Sequence, residues 1–344
     1  MKIGIAGFAG SGKTTVFQWL TGVKPDPAAA TRGQIGMARI PDERLDWLSD
    51  QFKPKKTTPA TIEFLDTPGL MLTERRDNAR RLGILREGAG LVIVLNGHGY
   101  PAANWAEELR RFREEMLFAD LEVVSNRVSR LQDQQKKPKP AKEREADESE
   151  LELLTRIVAA LEEGRSAATL DLKDEEEKAV RSFQLLTLKS QFVIVNTSDA
   201  QIGRALPDDL TALSCESRAV PVKLELELLD LGPEDRQAFM KDLGLTASAQ
   251  GETLRAIYEA MGQIVFFTIG EDECRAWGLS RGADAVTGAA QIHTDLAKRF
   301  VRAEVVSYDD YRRVGSMKEA KHQGVYRLEG KTYIVQDGDI MHIL

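Results

Sequence analysis

The stretch KIGIAGFAGSGKTTVFQWL, residues 2–20, restricts what this chain can fold into more than any other. Lys2 to Ala6 alternate and then run apolar, as a buried first strand does, and VFQWL resumes helical spacing. Between them Gly7, Gly12, Lys13 and Thr14 match the P-loop pattern, with a strand before and a helix after. The chemistry explains the residue types. Glycines let backbone N–H groups turn inward around phosphate oxygens, and the helix N-terminus adds positive potential. Ala9, Gly10, Ser11, Gly12, Lys13, Thr14 and Thr15 are the candidate phosphate cradle. Lys13 would reach the β- and γ-phosphates, and the Thr14 hydroxyl would ligate Mg²⁺.

P-loops serve kinases, ATPases and GTPases alike, so later motifs must choose. ATIEFLDTPGL supplies a second apolar strand, Thr61 to Leu65, ending in Asp66-Thr67-Pro68-Gly69. An Asp at such a strand end holds Mg²⁺, usually through water, and the Gly69 N–H is placed to sense a γ-phosphate. Leu91 to Leu95 reads as a third buried strand, and QFVIVNTSDA as a fourth that runs into Asn196, Thr197, Ser198 and Asp199. Val220-Pro221-Val222 lies beyond it. Strands alternating with helical stretches imply a doubly wound α/β sheet whose ligands bind at the strands' C-terminal ends. NTSD falls where a base-reading loop belongs. Asp199 could accept two hydrogen bonds from guanine N1–H and N2–H₂, and Asn196 would brace its own loop and the P-loop.

With 344 residues there is ample chain for one large core and for two or three domains. A net charge of -7 argues against bulk electrostatic binding to nucleic acid, and no DNA partner is expected. Cys215 and Cys274 fit a reducing compartment without a disulfide framework. The start lacks the layout of a signal peptide, and no apolar run is long enough for a bilayer, so a cytoplasmic protein without a membrane partner is expected.

Between the Leu91 and Phe192 strands lie roughly a hundred residues, far more than one crossover helix requires. Trp105, Leu109, Phe112 and Met116 step at heptad spacing, and Leu117, Leu121, Val124, Val128 and Leu131 continue it. Leu151, Leu154, Val158 and Leu161 repeat it after QQKKPKPAKEREADESE, whose prolines and mixed charges predict a break. An antiparallel helical hairpin with a charged tip follows. KKPKPAK reads as a solvated turn, with phosphate contact on RNA as the sharper alternative. From Gln263 onward, strand patterns at Gln263 to Ile269 and Thr332 to Val335 surround a helix near Asp284 to Ala297. His293, His322 and His342 lack metal-ligand spacing.

In order and spacing the chain resembles the YchF subfamily of Obg-related GTPases and their Obg-like ATPase relatives. The segments that carry the likeness are IPDERLDWL, FLDTPGL, FADLE, LLTLKSQFVIVN, PEDRQAFMKDLGL, QIHTDLAKRFVRAEVVSYDDY and GKTYIVQDGDIMHIL. The resemblance implies a G domain (1–102 and 189–262) interrupted by a helical coiled-coil insertion (103–188), then a TGS-type, ubiquitin-like β-grasp domain (263–344). It also implies slow hydrolysis of GTP or ATP with Mg²⁺, and association with the ribosome or ribosomal RNA. By resemblance Thr31 takes the switch I position that closes on Mg²⁺, and Lys223 and Leu224 fall in the next base-contacting loop.

Several residues depart from the family pattern. GFAGSGKTT stands where GxPNVGKST is usual, and NTSD ends in Asp199 where NxxE ends in Glu. Thr197 replaces the Lys of a guanine-specific NKxD. Switch II reads GLMLTERRDNARR, without glycine hinges, and should prefer a helix. His98 in NGHGY is a loose counterpart of the family's switch-region His. Leu70 stands directly after Gly69, where many Ras-like enzymes place a water-positioning Gln. The sequence therefore supports a slow regulatory purine-nucleotide triphosphatase, with Lys13 and Gly69 as its catalytic groups and GTP slightly ahead of ATP. A nucleotide-binding scaffold with little hydrolysis and a P-loop kinase are the alternatives.

Overall fold

The structure, a computed structural model, describes residues 1–29, 32–71, 77–98, 104–213, 215–245 and 248–344. Its strands are β1 (Lys2–Ala6), β2 (Gln34–Arg39), β3 (Lys56–Thr58), β4 (Thr61–Asp66), β5 (Gly90–Asn96), β6 (Ser190–Asn196), β7 (Glu216–Val220), β8 (Gln263–Thr268), β9 (Glu273–Ser280), β10 (Ala303–Ser307), β11 (Arg327–Glu329) and β12 (Asp339–Ile343). The helices begin with α1 (Lys13–Thr21), α2 (Glu43–Phe52), α3 (Asn78–Leu85), α4 (Trp105–Gln135), α5 (Ala141–Glu162), α6 (Asp174–Val180) and α7 (Asp208–Thr211). They continue with α8 (Val222–Asp230), α9 (Pro233–Asp242), α10 (Ala249–Ala260), α11 (Ala285–Ile292), α12 (Thr294–Lys298), α13 (Tyr308–Val314) and α14 (Met317–His322). Two compact units result: Met1–Gly36 with Phe64–Ser248, and Met37–Glu63 with Ala249–Leu344. No described helix is long and apolar enough to cross a membrane.

The first sheet has the order β2-β4-β1-β5-β6-β7, with β1, β5, β6 and β7 mutually parallel. Its central strands are covered on both faces, which is why they read as unbroken apolar runs. Leu91 through Leu95 are all at or below 1% exposure. Ala6 pairs with Ile93 and Asn96 with Asn196, so the P-loop and NTSD leave the same edge of the sheet.

Two long helices, α4 and α5, form the expected hairpin, but one apolar stripe serves two cores. Trp105, Leu109, Phe112 and Met116 bury against Phe8, Leu82 and the sheet residues Ile93 and Val193. From Leu117 on, the same stripe packs against Leu154, Ile157 and Leu161 of α5. The break is also shorter than the charged segment suggested, covering only residues 136–140. Pro140 stands at the N-cap of α5, where a proline costs no helical hydrogen bond, so KEREADESE continues as helix. At the hairpin's root the Asp120 side chain is fully buried and accepts hydrogen bonds from Leu186 N (3.1 Å), Thr187 N (2.8 Å), Thr187 Oγ1 (2.8 Å) and Arg86 (2.7 Å).

The second unit's sheet runs β11-β10-β12-β8-β9-β3. Strands β8 and β9 are antiparallel, β8 and β12 parallel, and α11 covers Phe266, Leu279 and Val305. This is the mixed sheet and helix of a TGS-type β-grasp domain. The strand expected at Thr332 to Val335 is reduced to an isolated bridge, Ile334 with Asp284. The single helix expected near Asp284 to Ala297 is two, because the His293 imidazole caps α12 by accepting from Asp295 N at 3.1 Å. Among the described residues no His, Cys, Asp or Glu group has metal-ligand clustering. Segment Met37–Glu63 joins this unit through β3, which pairs in parallel with β9, and through α2, where Trp47 and Phe52 meet Tyr308 and Tyr311.

Candidate nucleotide-binding site

Two positions in the loop from Gly7 to Gly12 have no room for a side chain. Gly7 has φ 143°, and a Cβ there would lie 2.4 Å from the Val94 carbonyl. Gly12 has φ 90°, and its Cβ would meet Asn196 Nδ2 at 2.1 Å. That close approach lets Asn196 Nδ2 donate to the Ser11 carbonyl at 3.1 Å, tying the NTSD strand end to the P-loop. Helix α1 then starts at Lys13, so its first N–H groups face the loop.

Lys13 Nζ donates to the Phe8 carbonyl at 2.7 Å. Burial pulls its pKa down to about 8, against the opposing charges of Asp66 and Glu108, while Arg81 adds to the depression. Thr14 Oγ1 donates to Asp66 Oδ2 at 2.8 Å. Burial raises the Asp66 pKa, and the Thr14 hydroxyl, Lys13 and the Thr67 N–H work the other way. Gly69 lies on the lysine: a Cβ there would stand 2.6 Å from Lys13 Nζ and 2.8 Å from the Ala9 backbone. Ala9, Gly10, Lys13, Thr14, Asp66 and Gly69 line one cavity of about 370 Å³. Ser11 Oγ, Asp66 Oδ1 and Asn196 Oδ1 are buried without a hydrogen-bond partner among the described residues. Buried polar atoms of this kind call for a ligand or water. Thr14 and Asp66 suit Mg²⁺, which takes one or two protein oxygens and otherwise keeps water and phosphate.

Thr15, Thr197, Asp199, Lys223 and Leu224 are not among the residues that line that cavity. Thr15 is half-buried in α1. Thr197 is buried, its N–H donating to Val220 O at 2.9 Å, and Asp199 is exposed at the start of a short 3₁₀ turn, Asp199–Gln201. Lys223 and Leu224 occupy the first turn of α8, which Pro221 caps; Lys223 is exposed and Leu224 is 8% exposed. Thr31 lies outside the described residues, as do residues 72–76 of switch II. Leu70 is 1% exposed; its backbone exchanges hydrogen bonds with Gly7 O and Ala9 N, and its side chain packs with Phe8 and Leu82. His98 is exposed, its N–H bonded to Asn96 Oδ1.

Sequence reasoning missed three side chains. Arg81 donates to the Gly69 carbonyl at 2.6 Å, and Asn78 exchanges two hydrogen bonds with Met71, so α3 fastens the DTPG loop from behind. Glu108, in the first turn of α4, faces the P-loop from the other side. Helical charge in the former switch II signals Arg81; paired acids at a helix start signal Glu108.

A parallel sheet carrying a P-loop, a Thr–Asp pair and a DxxG glycine, joined to a β-grasp unit, defines a P-loop nucleotide-binding protein of the G-domain-plus-TGS class. Residues 263–344 match the C-terminal domain model of YchF-GTPases, described as a protein of unknown function (DUF933). The "Ribosome-binding ATPase YchF" of Bacillus subtilis (strain 168) is 30% identical over 99% of this chain and 98% of its own length. Those of Pasteurella multocida and Escherichia coli O157:H7, similarly named, are 33% and 32% identical over 99% and 100% of this chain and 98% of theirs. The solved Schizosaccharomyces pombe YchF GTPase superposes with TM-score 0.83 at 25% identity, covering 100% of this chain and 97% of that one. The chain belongs to the YchF subfamily of Obg-related GTPases.

Proposed function

We propose that this protein is a slow purine-nucleoside triphosphatase that works with Mg²⁺ as a regulatory switch on the ribosome, in the cytoplasm. The observation that carries the reading is the joined set of Lys13 Nζ, the Thr14–Asp66 pair and the unpartnered Asp66 Oδ1 around one cavity. Lys13 would neutralise β- and γ-phosphate charge, and the Gly69 N–H would report the γ-phosphate. Bound Mg²⁺ would be held by Thr14, Asp66 and, when switch I closes, Thr31, and would supply charge neutralisation across the phosphates. The ribosome enters through the bacterial relatives, which are named ribosome-binding. Titrations of GTP, ATP, GDP and ADP, with and without Mg²⁺, test the site, and multiple-turnover phosphate release tests the activity.

For the base, Asp199 favours GTP modestly over ATP. The relatives' names include both ATPase and GTPase, so they leave the choice to chemistry. A carboxylate square to guanine contributes roughly 1–3 kcal/mol of discrimination, less whatever Thr197 forfeits by lacking a lysine's aliphatic cover. Asp199→Asn should lose GTP and gain xanthosine triphosphate; unchanged affinities for both would reduce NTSD to a turn. A second reading, a nucleotide-dependent scaffold with scarcely any hydrolysis, draws on the buried Leu70 side chain. Binding without phosphate release would select it.

A further inference from the structure

Leu70 cannot orient water, because its side chain lies in the core with Phe8 and Leu82. A hydrolase of this design needs a polar group from elsewhere, on the γ-phosphate side of Lys13. Beside the P-loop lies a second cavity of about 250 Å³, lined by Phe8, Ala9, Asn96, Asn104, Glu107, Glu108 and Arg111. Ala9 also lines the phosphate cavity, so the two spaces share that stretch of P-loop backbone.

The Glu108 carboxylate lines the second of these spaces. Both of its oxygens accept from one donor, Asn96 N at the end of β5, at 3.3 and 3.2 Å. A three-centre contact of this kind uses a fraction of a carboxylate's roughly four acceptor sites. The neighbouring acid behaves differently. Glu107 lines the same cavity but is exposed, and it pairs with Arg111 and Arg110. Glu107 already places a negative charge at the helix start, so the dipole of α4 does not by itself call for a second, half-buried one.

We propose that Glu108 is the water-orienting carboxylate of triphosphate hydrolysis, standing in for the glutamine that Leu70 displaces. The assignment rests on the hydrolytic reading above. In the step it supports, one water O–H bond breaks and its proton passes to a Glu108 oxygen. The water oxygen bonds to the γ-phosphorus as the bond to the β–γ bridging oxygen breaks, giving nucleoside diphosphate and inorganic phosphate; the proton then leaves to solvent. Two further properties suit the role. The carboxylate lines its cavity together with Ala9, which also lines the phosphate cavity, and the Lys13 charge acts on it against the effect of burial. Burial raises its pKa, which makes it a stronger base than an exposed glutamate.

The test uses the full chain and two variants. Glu108→Gln keeps an acceptor for Asn96 N and the side-chain volume but removes the base, and Glu108→Asp keeps the base and withdraws it by one methylene. Single-turnover hydrolysis of pre-bound triphosphate should fall by about 100-fold in Glu108→Gln and by less in Glu108→Asp. The dissociation constant for a non-hydrolysable analogue should stay within about twofold, since an acceptor that acts on the water adds little to ground-state binding. Wild-type hydrolysis in Glu108→Gln overturns the assignment, as does an Asp variant slower than the Gln variant. Affinity lost in step with rate also overturns it, by showing that Glu108 merely supports Lys13. If the wild-type chain binds triphosphate yet releases no phosphate, the hydrolytic reading itself fails and takes this assignment with it.

Discussion

Lys13 is held in an environment that works against its own charge. It is 6% exposed, and burial brings its pKa down to about 8 despite the attraction of Asp66 and Glu108. In the nucleotide-free protein the folded pKa lies below the unfolded value, so protonation opposes folding below about pH 8, and the penalty fades as pH rises through it. A triphosphate reverses this by supplying the counter-charge. Lys13→Ala should therefore leave the thermal midpoint unchanged or higher. It should also cost about 2–3 kcal/mol or more in triphosphate binding, roughly 30-fold or more in Kd by calorimetry. Wild-type affinity would remove Lys13 from the site. Leu70 gives the opposite lesson. Its identity foretold an absent water-positioner, but restoring the glutamine should not restore the function, because position 70 faces the core. Leu70→Gln is expected to destabilise the fold by about 1–3 kcal/mol for an unsatisfied buried amide and to leave single-turnover hydrolysis no faster. A faster variant would show that the residue turns into the site when nucleotide binds.

At the scale of elements, the root of the hairpin decides whether α4 is continuous with the G domain. Asp120 gathers Arg86 from after α3, with Leu186 N and Thr187 from before β6, so two of the segments that carry the family likeness, FADLE and LLTLKSQ, meet on one carboxylate. Asp120→Ala leaves the Arg86 guanidinium and two backbone N–H groups facing a hole. The expected loss is about 3–5 kcal/mol in urea unfolding, with Asp120→Asn losing less. A loss under about 1 kcal/mol would mean that water replaces the carboxylate. This network was invisible in the sequence, since an Asp inside a helical repeat looks like solvated charge until its partners, 34 and 66 residues away, are known. Helices and strands themselves were legible, because a 3.6- or 2-residue period states that one face is buried. What the face packs on is not stated by a period. The stripe from Trp105 to Leu131 reads as one coiled coil and divides between two cores at Met116 and Leu117. The strand–loop–helix setting of the P-loop was legible because Gly7 and Gly12 take positive φ where a Cβ would clash, and Lys13 opens α1. The resemblance puts Lys223 and Leu224 in a base-contacting loop, whereas in the structure they form the first turn of α8 behind the Pro221 cap.

For the whole molecule, the unexpected feature is where Met37–Glu63 belongs. This stretch separates Thr31 from Asp66, the two residues proposed to meet on Mg²⁺, yet it packs as part of the C-terminal unit. Three kinds of interaction hold it there. β3 adds a parallel strand at the edge beyond β9, Lys56 pairing with Glu273 and Thr58 with Arg275. Trp47 stands edge-on to Tyr308, and Phe52 stacks on Tyr311 at 5.9 Å. Arg44 bridges Asp42 at 2.8 Å and Asp337 at 2.7 Å, which holds its guanidinium charged more firmly than usual despite burial. Helix α2 and strand β3 thus take their partners from β9, α13 and Asp337 of the C-terminal unit. A chain ending at Gly262 would retain the whole P-loop, Asp66 and NTSD, but would strip β3 of its partner strand and uncover the apolar face of α2. Such an unpaired edge and exposed aromatic surface invite cleavage and association. The truncated chain should be cut by protease within residues 53–60 much faster than the full chain, and should bind an apolar dye that the full chain ignores. Adding the separately expressed segment 263–344 should slow that cleavage. Equal cleavage rates at residues 53–60 in the full and truncated chains would show that the segment holds its fold without the C-terminal unit, and that β3 gains nothing from its place beside β9.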